Sequence, residues 1–304
     1  MKEIRFAEYR RYEARRIEAS NAMMALLAGA GMASHLLQLT HGSRHLLPEV
    51  FPQVPHIGRF NLRTEVARQI RDAADTHLGA MSIPYALAIH DDFLHECIAL
   101  LDTAGKCTAK DMEQSARSLA HKHPLIQRCT DGAFNADSLG QLTTIRMMRN
   151  CMVHAGGRAD QRLINDLASW TPGIEAGWVK LTGNNPRQLT LGDELAFGHG
   201  EMVLALAVTK VLAREANQLL QPTLPRDQWA DMLIDDLVEA DPHMLRAPDF
   251  LRRARGLAKF HYGALKLADT ELGDARLRHL SRYTAAGPPA TGGPAAKKKR
   301  GSTD

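Results

Sequence analysis

Aromatic residues and cysteines are both scarce in this 304-residue sequence. Phe, Trp and Tyr together make up 5% of the chain, and the four cysteines include no C-x-x-C pair of the kind that holds structural zinc. Four cysteines in a chain of this length are also too few for a secreted disulfide scaffold. The sequence therefore predicts reduced thiols in a cytoplasmic protein, with no metal site and no cofactor.

A strong excess of charge of one sign is lacking as well. The 38 Lys and Arg residues nearly balance the 34 Asp and Glu residues, which leaves a formal net charge of +4. A net charge this small does not indicate nucleic-acid binding by composition alone. Any basic surface of the folded protein must be local.

No hydrophobic run is long enough to predict a membrane span. The most apolar N-terminal stretch, AMMALLAGAGMASHLLQL at 22–39, contains Gly29 and Gly31 and is interrupted by Ser34 and His35, so it favours a buried helix. The twenty residues before it carry four glutamates, unlike the n-region of a signal peptide. We expect a soluble protein with no membrane partner.

Apolar residues recur at i, i+3 and i+4 in windows rich in Ala, Leu, Arg and Glu, and this pattern predicts an all-α protein. The predicted helices run from about residue 3 to 40, 61 to 79, 84 to 104, 109 to 122, 138 to 154 and 199 to 220, with more helices between 227 and 282. One segment, 177–195, alternates apolar and polar residues on both sides of the turn-forming GNNP. It predicts a single β-hairpin among the helices.

Prolines concentrate in two stretches, LPEVFPQVPHIG and QPTLPRD, which mark the natural seams of the chain. We therefore predict an N-terminal helical region (1–80), a helical bundle (81–221) and a C-terminal helical region (222–284). The remaining residues, 285–304, are rich in Pro, Gly and Ala and include the basic cluster KKKR. They predict a disordered basic tail that would add non-specific affinity for RNA.

The stretch RMMRNCMVHAGGRAD, residues 146–160, places Arg149, Asn150 and His154 at the end of a predicted helix, just before a pair of glycines. Histidine, with an ordinary pKa of about 6.5, can take or give a proton near neutral pH. Arginine keeps its charge and can hold two oxygens of a phosphate. These two residue types suit RNA cleavage without a metal, in which the neighbouring 2′-hydroxyl attacks the phosphorus.

The pattern R-N-x-x-x-H at a helix end resembles the signature of the HEPN superfamily (higher eukaryotes and prokaryotes nucleotide-binding domains). The resemblance covers residues 80–221 and implies a four-helix bundle. Helices 84–104, 109–122, 138–154 and 199–220 would form it, with the hairpin as an insertion. Members are usually dimeric, and many are metal-independent ribonucleases of toxin, abortive-infection and RNA-processing systems.

For this chain, the resemblance implies a metal-independent endoribonuclease of a toxin or phage-defence type, acting at a composite site between two copies in a homodimer. His154 would handle the proton, Arg149 would stabilise charge on the phosphate, and Asn150 would orient the histidine or the phosphate. Arg146 and Arg158, which flank the motif, are predicted to contact the RNA substrate. An antitoxin or another defence-system protein would be a further partner.

Two other interpretations stay open. Many HEPN domains are inactive and bind a nucleotide, RNA or a protein partner, and Ala155 stands where a polar residue often follows the motif histidine. The motif can also be accidental, with Arg149 paired to a neighbouring helix and His154 stabilised by the dipole at a helix C-terminus.

Charged residues outside the motif have simpler interpretations. The stretch HDDFLHE, residues 90–96, is expected to form a solvated helix face, with a metal site or an assisting role for Asp91 or Asp92 as the alternatives. The basic residues in 245–266 are expected to pair with the acidic stretch 227–241, the alternative being contact with an RNA backbone.

Overall fold

The computed structural model describes residues 3–39, 44–59, 63–64, 74–195 and 197–286. Over these ranges the chain forms twelve α-helices and three short 3₁₀-helices, and no β-strand occurs in them. The prediction of an all-α protein is confirmed.

The chain divides into two compact units, Met1–Leu224 and Pro225–Asp304. The helices of the N-terminal unit are α1 Ala7–Gln38, α2 Leu47–Val50, α3 Ala74–Thr103, α4 Ala109–Arg117, α5 Leu119–Thr130, α6 Ala136–His154, α7 Gln161–Ala168, α8 Pro172–Thr182 and α9 His199–Thr223. The division falls at the second proline stretch. The predicted boundary after residue 80 lies within α3, which runs on through Pro84.

Helix α9 forms the centre of the N-terminal unit, where it packs against α3, α6 and α8. Helix α3 also contacts α1, α5 and α6, so α3, α5, α6 and α9 pack together as a group of four. Leu204 and Leu212 of α9 and Leu94 and Ile98 of α3 are fully buried at these contacts. Burial of each such side chain stabilises the fold by about 1.5–3 kcal/mol.

Helix α6 carries the R-N-x-x-x-H motif, and local chemistry fixes both of its ends. The Asn135 side chain caps the first turn by accepting a 2.8 Å hydrogen bond from a backbone N–H. At the other end, Gly156 and Gly157 adopt φ angles of 61° and 77°, and the N–H of Gly157 donates to a carbonyl six residues back. This glycine termination places His154 in the last helical turn, as the sequence predicts.

The predicted β-hairpin is wrong. Residues Pro172–Thr182 form helix α8, and Pro186–Gln188 form a 3₁₀-helix. The Thr171 side chain accepts a hydrogen bond from the first turn of α8, and proline follows it at the first helical position, where no backbone N–H is needed. Trp178 is fully buried. Ile174 and Trp178, four residues apart, form the buried side of this helix, whereas Val179 and Leu181, whose alternation with polar residues predicted a strand, are exposed.

One predicted helix is also divided in the structure. The helix predicted at 109–122 is divided into α4 and α5 at Ser118, whose backbone is extended and whose hydroxyl accepts a 3.1 Å hydrogen bond from the N–H of Ala120. Helix α5 then continues through Pro124 to its end. The helix predicted at 61–79 lies largely outside the described residues, and so does nearly all of the disordered tail predicted at 285–304.

The described part of the C-terminal unit contains α10 Arg226–Ala240, α11 Phe250–His261 and α12 Asp269–Ala286. Helices were expected in this region, and Trp229, Phe250 and Tyr262 are fully buried in its core. None of the helices in the described residues combines the length and the apolar character needed to cross a bilayer.

The ion pairs of this unit differ from the expected pairing of its basic and acidic stretches. On the acidic stretch, Asp231 pairs with Arg278 of α12 at 2.7 Å. On the basic stretch, Arg253 pairs with Asp249 at 2.9 Å, and Arg255 pairs with the first residue of α12. The charged residues of the two stretches therefore pair with α12 or, for Arg253, with Asp249 of the same basic stretch.

Candidate functional site

Three of the predicted site residues, Arg146, Arg149 and Asn150, line one open cleft of about 510 Å³ in the N-terminal unit. Helices α3 and α6, the first turn of α5 and the start of α7 form its walls. Helix α7 contributes a further arginine, Arg162. We call this feature the arginine cleft, after Arg146, Arg149 and Arg162.

The three arginines of the cleft form no direct ion pair with a carboxylate among the described residues. Neither Arg146 nor Arg162 forms an ion pair or a hydrogen bond there, and Arg149 donates a 3.0 Å hydrogen bond from Nη1 to the side-chain oxygen of Asn150. Arg187, by contrast, lies 2.8 Å from a glutamate. Guanidinium groups that share one cleft without direct ion pairs create a local positive potential that attracts an anion.

Arg146 is half-buried. Burial lowers the pKa of the Arg146 guanidinium, and the nearby Asp166 carboxylate partly offsets this effect. Asp166 is itself occupied: the Thr144 hydroxyl donates a 2.5 Å hydrogen bond to it, and the indole N–H of Trp170 donates to the Thr144 hydroxyl at 2.9 Å. The donors of Arg146 therefore remain available to a ligand.

Asp91 also lines the cleft, and Lys122 neutralises its charge. Lys122 Nζ lies 2.9 Å from Asp91 Oδ1 and donates a 3.1 Å hydrogen bond to the backbone carbonyl of the same residue. Lys122 is almost fully buried, whereas the Asp91 side chain is partly exposed to the cleft. The arginines consequently dominate the charge of the cleft.

His154 and Arg158 lie away from the cleft lining. His154 is exposed at the end of α6. Arg158 is exposed as well, and its Nη1 donates a 3.0 Å hydrogen bond to the carbonyl of Gly192. Backbone hydrogen bonds between 157–159 and 192–195 anchor the chain after α6. The five predicted site residues therefore form one group of three, with His154 and Arg158 outside it.

The HDDFLHE stretch is divided between two surfaces of α3. Asp91 faces the arginine cleft, whereas Asp92, His95 and Glu96 are exposed and line a separate cavity of about 330 Å³ beside α1. Arg15 of α1 lies 3.4 Å from Asp92. Among the described residues, no group of three or more His, Cys, Asp or Glu side chains is arranged to hold a metal ion.

Sequence reasoning missed Arg162. It lies outside the R-N-x-x-x-H pattern, eight residues after His154, and only the packing of α7 against α6 brings it to the cleft. The sequence did carry one signal for Arg162. It lies next to the buried face of an amphipathic helix whose N-cap is Asp160.

Comparisons with protein-family models, with curated proteins and with solved structures gave no match to this chain. Function is therefore inferred from the residues of the cleft and their chemistry.

Proposed function

We propose that this chain is a metal-independent endoribonuclease of a toxin or abortive-infection type, and that the arginine cleft binds the phosphate backbone of its RNA substrate. One observation carries the proposal: three guanidinium groups from α6 and α7 share one cleft, and none of them forms a direct ion pair with a carboxylate among the described residues. Guanidinium groups match phosphate oxygens in both charge and geometry.

Arg149 and His154 take the central roles in the proposed reaction. His154 accepts the proton of a ribose 2′-hydroxyl, and the 2′-oxygen then attacks the adjacent phosphorus. The bond between phosphorus and the 5′-oxygen breaks, the leaving oxygen takes up a proton from water, and His154 returns its proton to the solvent. The products are a 2′,3′-cyclic phosphate and a 5′-hydroxyl. Arg149 stabilises the negative charge that grows on the non-bridging oxygens, and Asn150 orients its guanidinium through their hydrogen bond.

The proposed site is completed by a second copy of the chain. His154 lies at the exposed end of α6, outside the cleft that Arg149 lines. In a homodimer with its two-fold axis near α6, the histidine of one copy can approach the cleft of the other. The resemblance of R-N-x-x-x-H to the HEPN signature supports this arrangement, and an antitoxin that covers the cleft would restrain the activity.

A second candidate function is binding of RNA or a nucleotide without cleavage. The position of His154 outside the cleft favours this alternative, because the cleft-lining residues that the structure describes offer cations for a phosphate but include no histidine. Ala155, after the histidine, also supplies no polar group. The two functions differ in what happens to the bound RNA.

The discriminating experiment is to incubate the purified full-length chain with single-stranded RNA in EDTA and to identify the ends of any products. We expect 2′,3′-cyclic phosphate ends. We also expect a loss of rate of about 10²- to 10⁴-fold on His154→Ala, the range typical of removing a proton-transfer group. Arg149→Ala should likewise be strongly impaired. His243→Ala and Arg187→Ala, at exposed residues outside the cleft, are the matched controls. RNA binding that Arg149→Ala weakens, without cleavage on any RNA, would instead establish the binding function.

A further inference from the structure

A smaller cavity opens beside the arginine cleft, between α5 and α6. It has a volume of about 130 Å³ and shares Leu119, Ala120 and Arg146 with the cleft. Arg146 therefore stands at the boundary between the two cavities. We call the smaller cavity the side pocket.

The walls of the side pocket are mostly apolar. Pro124 of α5 and Leu139 and Leu142 of α6 line it, together with the polar side chains of Gln127 and Thr143. A small number of polar groups in an apolar cavity is the usual composition of a site that binds a ring and orients it by hydrogen bonds. The side pocket is too small for a whole nucleotide but has the character that one heterocycle requires.

A buried histidine adds a third polar group to the side pocket. His123 lines it and is 4% exposed. Its Nε2 lies 3.0 Å from Nε2 of His90, and none of the described residues forms a hydrogen bond with its Nδ1. Burial, together with the charge of Arg146, lowers the pKa of His123 to about 3. The ring is therefore neutral at pH 7, and Nδ1 donates or accepts a hydrogen bond according to the tautomer.

We propose that the side pocket binds a nucleobase whose attached phosphate lies in the arginine cleft. A nucleotide combines an anionic phosphate with a flat, largely apolar base that has a polar edge. The arginine cleft offers cations for the phosphate, and the adjoining side pocket offers mostly apolar walls with a few polar groups for the base. The guanidinium of Arg146 would contact the phosphate. Gln127, Thr143 and His123 would then be the residues that select the base. This inference rests on the proposed function in that it names the base-binding part of the same RNA site.

Mononucleotides test the pocket separately from cleavage, because a nucleoside 5′-monophosphate has no internucleotide bond to cut. Calorimetric titrations of the full-length chain in EDTA would compare inorganic phosphate, ribose 5-phosphate, uridine 5′-monophosphate and adenosine 5′-monophosphate. We expect at least one nucleotide to bind about tenfold more tightly than ribose 5-phosphate, which corresponds to about 1.4 kcal/mol. Equal affinities of both nucleotides and ribose 5-phosphate would overturn the base pocket.

Two variants locate the effect. Thr143→Phe places a ring in the side pocket from a half-buried position, so it should remove the advantage of the nucleotide and leave ribose 5-phosphate binding unchanged. Gln127→Ala should weaken nucleotide binding, whereas Gln114→Ala, at an exposed glutamine of α4, is the matched control. Unchanged nucleotide affinity in Thr143→Phe would contradict the proposal.

The outcomes separate this inference from the proposed function. Equal binding of all the phosphate compounds would overturn the base pocket and leave the arginine cleft, and with it the ribonuclease proposal, intact. Tighter nucleotide binding without cleavage of any RNA would support the base pocket and contradict the ribonuclease. Failure of every phosphate compound to bind would overturn both.

Discussion

Arg149 and His154 lie five residues apart on helix α6, yet only Arg149 lines the arginine cleft. A helix has 3.6 residues per turn, so two residues that are five positions apart project in directions well away from each other. One copy of α6 therefore does not place both groups on one phosphate. A reaction that uses both residues needs two copies of the helix.

The first prediction follows from this separation. Arg149→Ala and His154→Ala should each be nearly inactive, and an equilibrated mixture of the two should recover activity, because a heterodimer contains one site with both side chains. Since half of the dimers in an equal mixture are heterodimers with one of two sites intact, the recovered rate should be about a quarter of the parental rate. Subunit exchange is checked independently with fluorescent labels. No recovery after complete exchange would sink the composite site.

The second prediction concerns the number of phosphates that the cleft holds. If Arg162 contacts a phosphate, Arg162→Gln should reduce the slope of log affinity against log salt by about 0.7, the value for one contact with a single strand. Fluorescence anisotropy with 2′-O-methyl RNA measures binding without cleavage. Arg187→Gln, at an arginine that is paired outside the cleft, should leave the slope unchanged. An unaltered slope in Arg162→Gln would remove that residue from the RNA site.

Much of the local structure around the motif could be predicted from the sequence. The end of α6 depends on Gly156 and Gly157, whose positive φ angles are costly for other residues, so the signal is local and strong. The helical character of the chain could also be predicted, because it follows from the i, i+3 and i+4 spacing of apolar residues. The hairpin prediction was wrong because apolar alternation over a few residues also fits a helix, and the N-terminal signal of Thr171 and Pro172 was overlooked.

The cleft itself could not be predicted in this way. It depends on Ser118, which ends one helix and caps the next and so brings the first turn of α5 to the site. It also depends on the packing of α7 and its Arg162 beside α6. These are contacts between separate helices, and a single sequence without an alignment carries no signal of which helix faces meet. Arg146 was predicted as a substrate contact and lines the cleft, whereas Arg158, predicted on the same grounds, does not line it.

The third prediction concerns the pH dependence of the C-terminal unit. His279 is buried, its Nε2 lies 2.8 Å from a carboxylate oxygen of Asp235, and its Nδ1 lies 2.9 Å from the Ala275 carbonyl. The hydrogen bond to Asp235 is the main cause of a raised pKa for His279. A raised pKa means that its contribution to stability is complete below the unfolded value of about 6.5 and is lost as the pH rises through the folded value.

Hydrogen exchange of the full-length chain, corrected for intrinsic rates, would measure this effect in α10 and α12. Protection in these helices should fall between pH 6 and pH 8, and His279→Gln should flatten that dependence. His243→Gln, at an exposed histidine of the same unit, should retain the parental dependence. The same slope in the parent and in His279→Gln would contradict the assignment.

The fourth prediction has the opposite sign and concerns the N-terminal unit. His90 and His123 are both buried, and their facing Nε2 atoms lie 3.0 Å apart. Burial lowers the pKa of each ring, to about 3 for His123. The unfolded chain therefore binds more protons than the folded chain once the pH falls below about 6.5. Stability is complete above that value and is lost progressively as the pH falls toward about 3.

Urea denaturation followed by Trp fluorescence should show this loss. A histidine that stays neutral in the folded state lowers the free energy of unfolding by about 2 kcal/mol between pH 7 and pH 5. His123→Gln is expected to be less stable than the parent at pH 7, because it disturbs a packed site, but to lose less between pH 7 and pH 5. His154→Gln, at the exposed histidine of α6, should keep the parental pH dependence. If His123→Gln and His154→Gln lose equal stability on acidification, the buried pair does not stay neutral, and its assigned protonation in the side pocket is wrong as well.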